Sequence, residues 1–363
     1  MFLSDIKNKV GRTVGILATA TMIALPGSYA VVPSPRTEAF DVWGAVIGGA
    51  ISYAQLDSEI NTYNKSEKGR QALFEHLKQR YGVNSDPELN AYIDRIMRNL
   101  TNAIATVDPS INEMPYNYFI NNEQSFNAFC TLGHNLTINT GLFGVLNRED
   151  EIAVVLAHEM GHGQKNHPAN GARNSLGVSI LASSAGGGIL AAIAANALTN
   201  QGITKPMERE ADSLAFEYLT HSPYNPGACG AVWQRVIDKS GNNPDNFLTF
   251  LAGGSDHPSH ASRRDSYAKK IYKYSGERVE VKDGNVKING QHFMTPAPYG
   301  DMSGAERSFL VAGNLARAFQ NGQNGENAWA SGNTIMLGNQ EIATVVDGDE
   351  AAEVLVGRLN GIK

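Results

Sequence analysis

The clearest pattern of apolar and polar positions along the chain begins at Asp86. After this residue, apolar side chains recur every three or four positions, which is the spacing of one face of a helix. The apolar positions are Leu89, Ile93, Ile96, Met97, Leu100 and Ile104. Asp86 suits the N-cap and Pro87 suits the first turn. The pattern therefore predicts a helix that starts at Pro87 and buries one face.

Shorter patterns add strands and further helices, and together they predict the α+β fold class. Strands are predicted over residues 116–120 and 136–139. Helices are predicted over about 149–166, 206–221, 228–239 and 260–274. Asn147 is the predicted capping residue of the first of these helices, and three acidic residues follow in its first turn.

The pattern changes after Arg278. Two alternating segments flank Asp283-Gly284, which is a strong hairpin signal. The segments 284–290 and 332–338 resemble each other, and each is followed by a predicted helix. We interpret this as a weak twofold repeat that forms a small C-terminal α+β module over residues 278–363.

The first 30 residues predict export. Three basic residues precede an uncharged apolar stretch, and Ser28-Tyr29-Ala30 offers small residues where signal peptidase reads the chain. We expect a signal peptide over 1–30, cleaved near Ala30, and a periplasmic mature protein. An uncleaved membrane anchor is the alternative.

Composition narrows the classes of partner. The net charge is −6 with no basic run after the extreme N-terminus, so nucleic acid is not expected as a partner. Residues 175–204 carry no charge and predict either membrane contact or a helical excursion beside the active site. The two cysteines, Cys130 and Cys229, could pair in an oxidising compartment or remain two buried thiols.

The segment His158-Glu159-Met160-Gly161-His162 lies inside the predicted helix over 149–166. Residues four apart share one helix face, so His158 and His162 can bind one metal ion while Glu159 points in a neighbouring direction. A zinc ion held in this way acidifies water and polarises a carbonyl group, and the carboxylate takes the proton. The apolar run before the motif indicates a buried helix, in which these polar residues would be costly without a partner. The pattern predicts one Zn²⁺ per chain, with Glu159 as the catalytic base.

A catalytic zinc site requires a third protein ligand. A metzincin would carry glycine at 165 and histidine at 168, where this chain has Lys165 and Pro168, so that class is excluded. Glu208 and Asp212 lie one turn apart in a second predicted helix. We predict that Glu208 binds the metal and that Asp212 holds the far nitrogen of a ligand histidine. A solvated acidic helix face is the alternative, and Glu210 is expected at the surface.

These motifs together resemble the gluzincin proteases of the HtpX, BepA and CAAX-prenyl-protease type, especially their soluble periplasmic branch. The resemblance covers roughly residues 86–274 and rests on HEMGH at 158–162 and EREAD at 208–212. His167 and the segments Phe126-Asn127-Ala128-Phe129 and Asn139-Thr140-Gly141-Leu142 give weaker support. The resemblance implies a mostly helical, thermolysin-like (minigluzincin) catalytic domain with a small sheet, over residues 31–277. It implies the same ligands, base and orienting aspartate as those predicted above.

The resemblance also points to a further histidine. In the periplasmic relatives, a histidine in a His-Pro segment can approach the zinc and hold the enzyme closed. This chain has His257-Pro258, with Arg263 six residues after the histidine. His257 is therefore a candidate fourth ligand or donor to the transition state, and His260 is a weaker competitor. A loop histidine beside proline is also commonly just exposed.

Thr137, Ile138 and Asn139 are expected to form an edge strand beside the zinc. An extended peptide could add to such an edge by main-chain hydrogen bonds, although an ordinary sheet strand has the same pattern. The sequence thus predicts an endopeptidase that cleaves unfolded or misassembled envelope proteins. The competing prediction is a periplasmic chaperone or scaffold with a latent metal site.

Overall fold

The computed structural model describes residues 53–179, 193, 202–240 and 259–363. The predicted signal peptide, most of the uncharged stretch and His257 lie outside the described residues. Within the described ranges, no helix combines the length and the apolar character that crossing a membrane requires.

The first part of the described chain alternates helices with one small sheet. Its elements are α1 (Tyr53–Lys65), α2 (Glu67–Tyr81), α3 (Pro87–Val107), β1 (Asn117–Asn121), β2 (Ala128–Thr131), β3 (Asn135–Asn139), α4 (Leu142–Val145), α5 (Glu149–Gln164), α6 (His167–Ser179), α7 (Lys205–Thr220), α8 (Ala228–Ser240) and α9 (His260–Tyr274). The predicted helices and the two predicted strands are confirmed to within about two residues, and β2 was not predicted. The fold class is α+β, as expected.

Helix α3 shows how closely the local pattern determines an element. The Asp86 carboxylate accepts hydrogen bonds from the backbone N–H groups of Glu88 and Leu89, at 2.9 and 3.2 Å. The apolar stripe of α3 is buried in the main core. Both the cap and the buried face are therefore as predicted.

Helix α5 begins differently from the prediction. Its capping residue is Arg148, so the prediction of Asn147 was wrong by one position. The Glu151 carboxylate accepts hydrogen bonds from the backbone N–H groups of Asn147 and Arg148, at 3.3 and 3.2 Å. Glu151, in the third position of the helix, thus stabilises the helix start, where the side chain of the capping residue accepts no hydrogen bond. From Glu151 to Gly163 every residue of α5 is buried.

The sheet has the order β1-β3-β2, which corrects the prediction of the edge strand. Strand β3 pairs in parallel with β1 and antiparallel with β2, so Thr137, Ile138 and Asn139 lie in the central strand. All five residues of β3 are buried. The pattern of one strand cannot reveal its neighbours, and the missed strand β2 occupies the edge that β3 was expected to form.

Helices cover both faces of this sheet. Ile120, Ala128 and Ile138 belong to the main core, whereas Phe119 and Phe129 on the other face join a smaller core. The smaller core also contains Leu56, Ile60, Leu73 and Leu77 from helices α1 and α2. The sheet is therefore held between two helical layers and is buried on both sides.

The C-terminal part contains the predicted hairpins and helices, each extended by a third strand. Its elements are β4 (Val279–Lys282), β5 (Asn285–Ile288), β6 (Gln291–Met294), α10 (Gly304–Gln320), β7 (Ala328–Ser331), β8 (Thr334–Leu337), β9 (Gln340–Thr344) and α11 (Ala352–Ile362). Asp283 and Gly284 have φ values of 49° and 75°, as a two-residue hairpin turn requires. The main core runs from α3 to α11, and the division into 31–277 and 278–363 stays a prediction.

The two cysteines are both free thiols, and both are buried. The sequence left open a disulfide or two buried thiols, and the structure has two buried thiols. Burial raises the pKa of each thiol well above its ordinary value.

Candidate metal centre

Helices α5 and α7 pack closely where Gly161 faces Ala211. A Cβ atom on Gly161 would lie 3.3 Å from the carbonyl oxygen of Ala211 and 3.3 Å from Cβ of Leu214, closer than side chains usually allow. Glycine in the middle of HEMGH therefore permits the close approach. This approach brings the histidines of α5 opposite the acidic residues of α7.

His158, His162 and Glu208 meet at this helix contact. The two Nε2 atoms lie 3.1 Å apart. His158 Nε2 lies 3.5 Å from Glu208 Oε2, and His162 Nε2 lies 3.4 Å from Glu208 Oε1. All three side chains are buried, and among the residues described they form the one group whose ligand atoms lie within 4.8 Å of one another.

These distances fit a zinc ion. Tetrahedral zinc with bonds of about 2.0–2.1 Å holds its ligand atoms roughly 3.3 Å apart, since that is the edge of such a tetrahedron. The separation of the two Nε2 atoms lies close to this edge, and so does the separation of each Nε2 atom from its nearer Glu208 oxygen, Oε2 for His158 and Oε1 for His162. Two imidazoles and one carboxylate are also a ligand set of known catalytic zinc sites.

The far nitrogen of His158 contacts Asp212. The two atoms, Nδ1 and Oδ1, lie 3.2 Å apart. Arg263 of α9 donates two hydrogen bonds to Asp212, one of them from Nε at 2.8 Å, and the hydroxyl of Tyr267 donates another at 3.0 Å. Arg263 Nη1 also lies 3.5 Å from Glu208 Oε2. Asp212 is thus fixed from three sides, in the position predicted for an orienting aspartate.

The charges of this cluster shift its pKa values in different directions. Burial opposes charge on His158, but the hydrogen bonds to Asp212 and Glu208 prevail and raise its pKa to about 9. Burial lowers the pKa of His162. Burial would raise the pKa of Asp212, but Arg263 and His158 together hold it well below its ordinary value.

Glu159 lies against the edge strand β2. Its Oε2 atom accepts a hydrogen bond of 3.0 Å from the backbone N–H of Cys130. Burial raises the pKa of Glu159 to about 7, although His158 and this hydrogen bond oppose the rise. A carboxylate with a pKa near neutrality is suited to accept and return a proton at neutral pH.

The far nitrogen of His162 contacts His167, the first residue of α6. Their Nδ1 atoms lie 3.0 Å apart, and Nε2 of His167 lies 3.2 Å from Oε2 of Glu210. Burial lowers the pKa of His167 to about 4, so its ring is neutral. Glu210 is half-exposed, in keeping with the predicted surface position, but its carboxylate accepts from His167.

His260 does not belong to the group of ligands. Its ring stacks on Trp233 with centroids 5.4 Å apart and planes at 14°. The guanidinium of Arg263 lies 3.8 Å over the same Trp233 ring. Trp233 therefore supports the arginine that holds Asp212.

The structure brings together the predicted residues His158, Glu159, His162, Glu208 and Asp212. Sequence reasoning missed the roles of Arg263, Tyr267, Trp233 and the His167–Glu210 pair. Arg263 and Tyr267 lie four residues apart on α9 and are both buried, so two polar residues on one helix face were the available signal. For the Cys130 N–H no signal existed, because β2 was not predicted.

Comparison with known proteins gives a family match. The profile of Peptidase family M48 matches residues 87–269, which contain both motifs and reach into α9. The relatives below are all named as proteases.

The beta-barrel assembly-enhancing protease of Escherichia coli K12 is 28% identical over 183 residues, covering 46% of this chain and 37% of that protein. The mitochondrial metalloendopeptidase OMA1 of Schizosaccharomyces pombe is 25% identical over 251 residues, 64% of this chain and 72% of that protein. The metalloprotease LoiP of E. coli is 24% identical over 175 residues, 46% of this chain and 67% of that protein. The chain thus spans well under half the length of the first of these relatives.

Proposed function

Because this chain belongs to peptidase family M48, we propose that it is a zinc-dependent endopeptidase whose metal ligands are His158, His162 and Glu208. The observation that carries the proposal is the convergence of three buried side chains, with each imidazole Nε2 within 3.5 Å of a Glu208 oxygen and the two Nε2 atoms 3.1 Å apart, beside a buried glutamate. Zinc is supported by the ligand set, since two imidazoles and a carboxylate suit a borderline-soft ion.

The charge of the site supports the same proposal. Among the residues that the structure describes, Arg263 is the one buried guanidinium in contact with the cluster, and it faces the buried carboxylates Glu159, Glu208 and Asp212. Two negative charges are then left uncompensated if both imidazoles are neutral. A divalent cation would balance them, which is what a buried cluster of this composition requires.

Each residue then has a part in peptide hydrolysis. Bound zinc supplies Lewis acidity, which lowers the pKa of water and polarises the scissile carbonyl group. Glu159 takes the proton of the attacking water and returns it to the leaving amine nitrogen. Asp212 keeps the proton of His158 on Nδ1, so that Nε2 presents its lone pair.

Strand β2 is the proposed binding edge for the substrate, in place of β3. The N–H of Cys130 points away from β3, toward Glu159. In an antiparallel pair the outward-pointing residues alternate, so the main-chain groups of Ala128 also point away from β3. An extended polypeptide could pair with Ala128 and reach the site with little sequence preference.

The substrates and the compartment are also proposals. The relatives' names refer to beta-barrel assembly in E. coli and to mitochondria in S. pombe. Together with the predicted signal peptide, the bacterial relatives support unfolded or misassembled envelope proteins as substrates, in the periplasm.

The decisive experiment replaces the proposed base. We expect Glu159→Gln to retain the fold and bound zinc but to lose cleavage of casein, because the amide cannot accept the proton. Full cleavage by this variant contradicts the mechanism. Glu217→Gln, at an exposed position of α7, is the matched control and should cleave casein normally.

The chaperone alternative predicts a different outcome. Suppression of client aggregation by wild type, with zinc bound and no cleavage of any unfolded protein, favours the chaperone alternative.

A second variant tests the substrate edge. Proline is tolerated at outward-pointing positions of edge strands, because no ladder hydrogen bond is lost. We expect Ala128→Pro to bind zinc normally but to show a raised KM for unfolded casein. An unchanged KM would exclude β2 as the binding edge.

A further inference from the structure

We propose that His167 and Glu210 are positioning residues that fix the ring of His162 through a two-step hydrogen-bond relay. This inference rests on the proposed metal site, and it assigns a role to two residues that the reaction itself does not use. The relay joins the start of α6 to the surface of α7.

The direction of the relay follows from the chemistry of imidazole. If Nε2 of His162 presents its lone pair to a metal, the neutral ring carries its proton on Nδ1. That proton points at Nδ1 of His167, 3.0 Å away, so this nitrogen must be the acceptor. His167 then carries its own proton on Nε2 and donates it to the Glu210 carboxylate at 3.2 Å. Every donor in the chain thus finds an acceptor.

The geometry also gives His167 little freedom. Its side chain is 3% exposed, and its ring stands edge-on to His162 at 72° with centroids 5.0 Å apart. A buried ring nitrogen without a partner would be costly, and each nitrogen of His167 has one. The ring is therefore both packed and hydrogen-bonded, and the two effects have to be separated by experiment.

The relay mirrors the support of the other ligand histidine. His158 is held directly by Asp212, and Asp212 by Arg263. His162 is held through an intervening ring, and the carboxylate at the end lies at the surface. Both supporting carboxylates stand on α7, Glu210 two residues after Glu208 and Asp212 four residues after it. One helix would therefore supply a ligand and orient both imidazoles.

The test separates hydrogen bonding from packing at residue 167. The oxygen of His167→Asn stands near the former Nδ1 atom and can accept from His162, whereas His167→Phe fills the volume of the ring without an acceptor. Zinc affinity of the metal-free proteins is measured by competition with a chromophoric chelator. We expect His167→Phe to lose about 10–100-fold in affinity, as loss of such a partner commonly costs, and His167→Asn to recover most of it.

Two further variants complete the series. Glu210→Ala should lose less affinity than His167→Phe, because the carboxylate is half-exposed and water can replace it. Glu217→Gln should bind zinc like wild type. Wild-type affinity in His167→Phe, or weaker binding by His167→Asn than by His167→Phe, overturns the relay while leaving the metal site intact.

A spectroscopic measurement on the unmutated protein keeps the inference falsifiable if the variants do not fold. Long-range ¹H–¹⁵N correlation spectra of the zinc-loaded protein report which ring nitrogen carries each proton. We expect the proton of His162 on Nδ1 and that of His167 on Nε2. A proton on Nδ1 of His167 overturns the relay, and a wild-type protein that binds no zinc overturns the relay and the proposed function together.

Discussion

Two buried arginines contact residues of helix α5 about two turns apart, and their surroundings differ in one instructive way. Arg235 lies beside Glu151 in the first turn, and Arg263 lies beside His158. Each guanidinium faces more buried carboxylates than it can balance. The two clusters differ in what would supply the missing positive charge.

At Arg235 the missing charge can be supplied by a proton. Its Nη2 atom lies 3.2 Å from Glu151 Oε1 and 2.5 Å from Glu306 Oε1, and all three side chains are fully or almost fully buried. One guanidinium facing two buried carboxylates leaves a single negative charge among the buried groups, since the third carboxylate in contact with Arg235, that of Asp301, is exposed. Burial, reinforced by Glu151, raises the pKa of Glu306 to about 8 in spite of Arg235. This cluster joins α5 to α8 and α10 without any imidazole.

At Arg263 a single proton is not enough. Three buried carboxylates face the guanidinium, and two imidazoles stand among them. Hydrogen bonds to Asp212 and Glu208 raise the pKa of His158, and burial raises that of Glu159, whereas burial lowers the pKa of His162. A deficit of two charges with neutral nitrogen donors suits a divalent cation, whereas a deficit of one without such donors suits a proton. The number of buried charges and the presence of two imidazoles therefore both separate the two clusters.

The largest expected effect comes from removing a carboxylate of the Arg263 cluster, and removal of a carboxylate of the Arg235 cluster is its control. We expect Glu208→Gln to lose cleavage. Its zinc affinity should fall by more than about 100-fold, which is the upper end of the loss seen when a residue that only supports a metal ligand is removed. Glu306→Gln should bind zinc like wild type, because it lies outside the metal cluster. Calorimetric titration with zinc measures the affinity of both variants, and casein cleavage measures their activity. A tenfold or greater loss in Glu306→Gln would mean that the clusters are not independent.

The next effect concerns the arginines themselves. Removing one partner of a buried ion pair costs about 3–5 kcal/mol, so Arg235→Met and Arg263→Met should both lower the free energy of unfolding by that order. Zinc should then distinguish the two variants. Its stabilising increment should fall below that of wild type in Arg263→Met, because Asp212 loses the arginine that holds it against His158, and should equal that of wild type in Arg235→Met, which lies outside the metal cluster. Denaturant unfolding with and without zinc measures the increments, with Arg98→Met at an exposed position as control. Equal increments in both variants would contradict the comparison.

The last expected effect is on the pH dependence of stability. The pKa of Glu306 is raised from 4.5 to about 8 in the folded protein, so the folded state binds more protons than the unfolded state between these values. This group's contribution to the free energy of unfolding is therefore complete below about pH 4.5 and is lost as pH rises to about 8. We expect Glu306→Gln to make the decline in the free energy of unfolding across this pH window less steep, and Glu217→Gln to leave it unchanged. Both are measured on metal-free protein. A decline as steep as that of wild type would exclude Glu306 as its source.

The sequence by itself determined the features that depend on spacing within one element. HEMGH and EREAD each place residues one helical turn apart, and the geometry of a helix fixes that relation before any packing occurs. The same holds for the cap and apolar stripe of α3 and for the Asp283-Gly284 turn. These local relations were sufficient to name the five residues that the structure brings together.

Only the tertiary structure decided which elements face one another. It made β3 a central strand and β2 the edge, and it brought Arg263, Tyr267 and Trp233 to Asp212. It also joined His167 to Glu210, 43 residues apart. Contacts of this kind depend on how the whole core packs, because no repeat or spacing along the chain records which surface a helix or strand will meet.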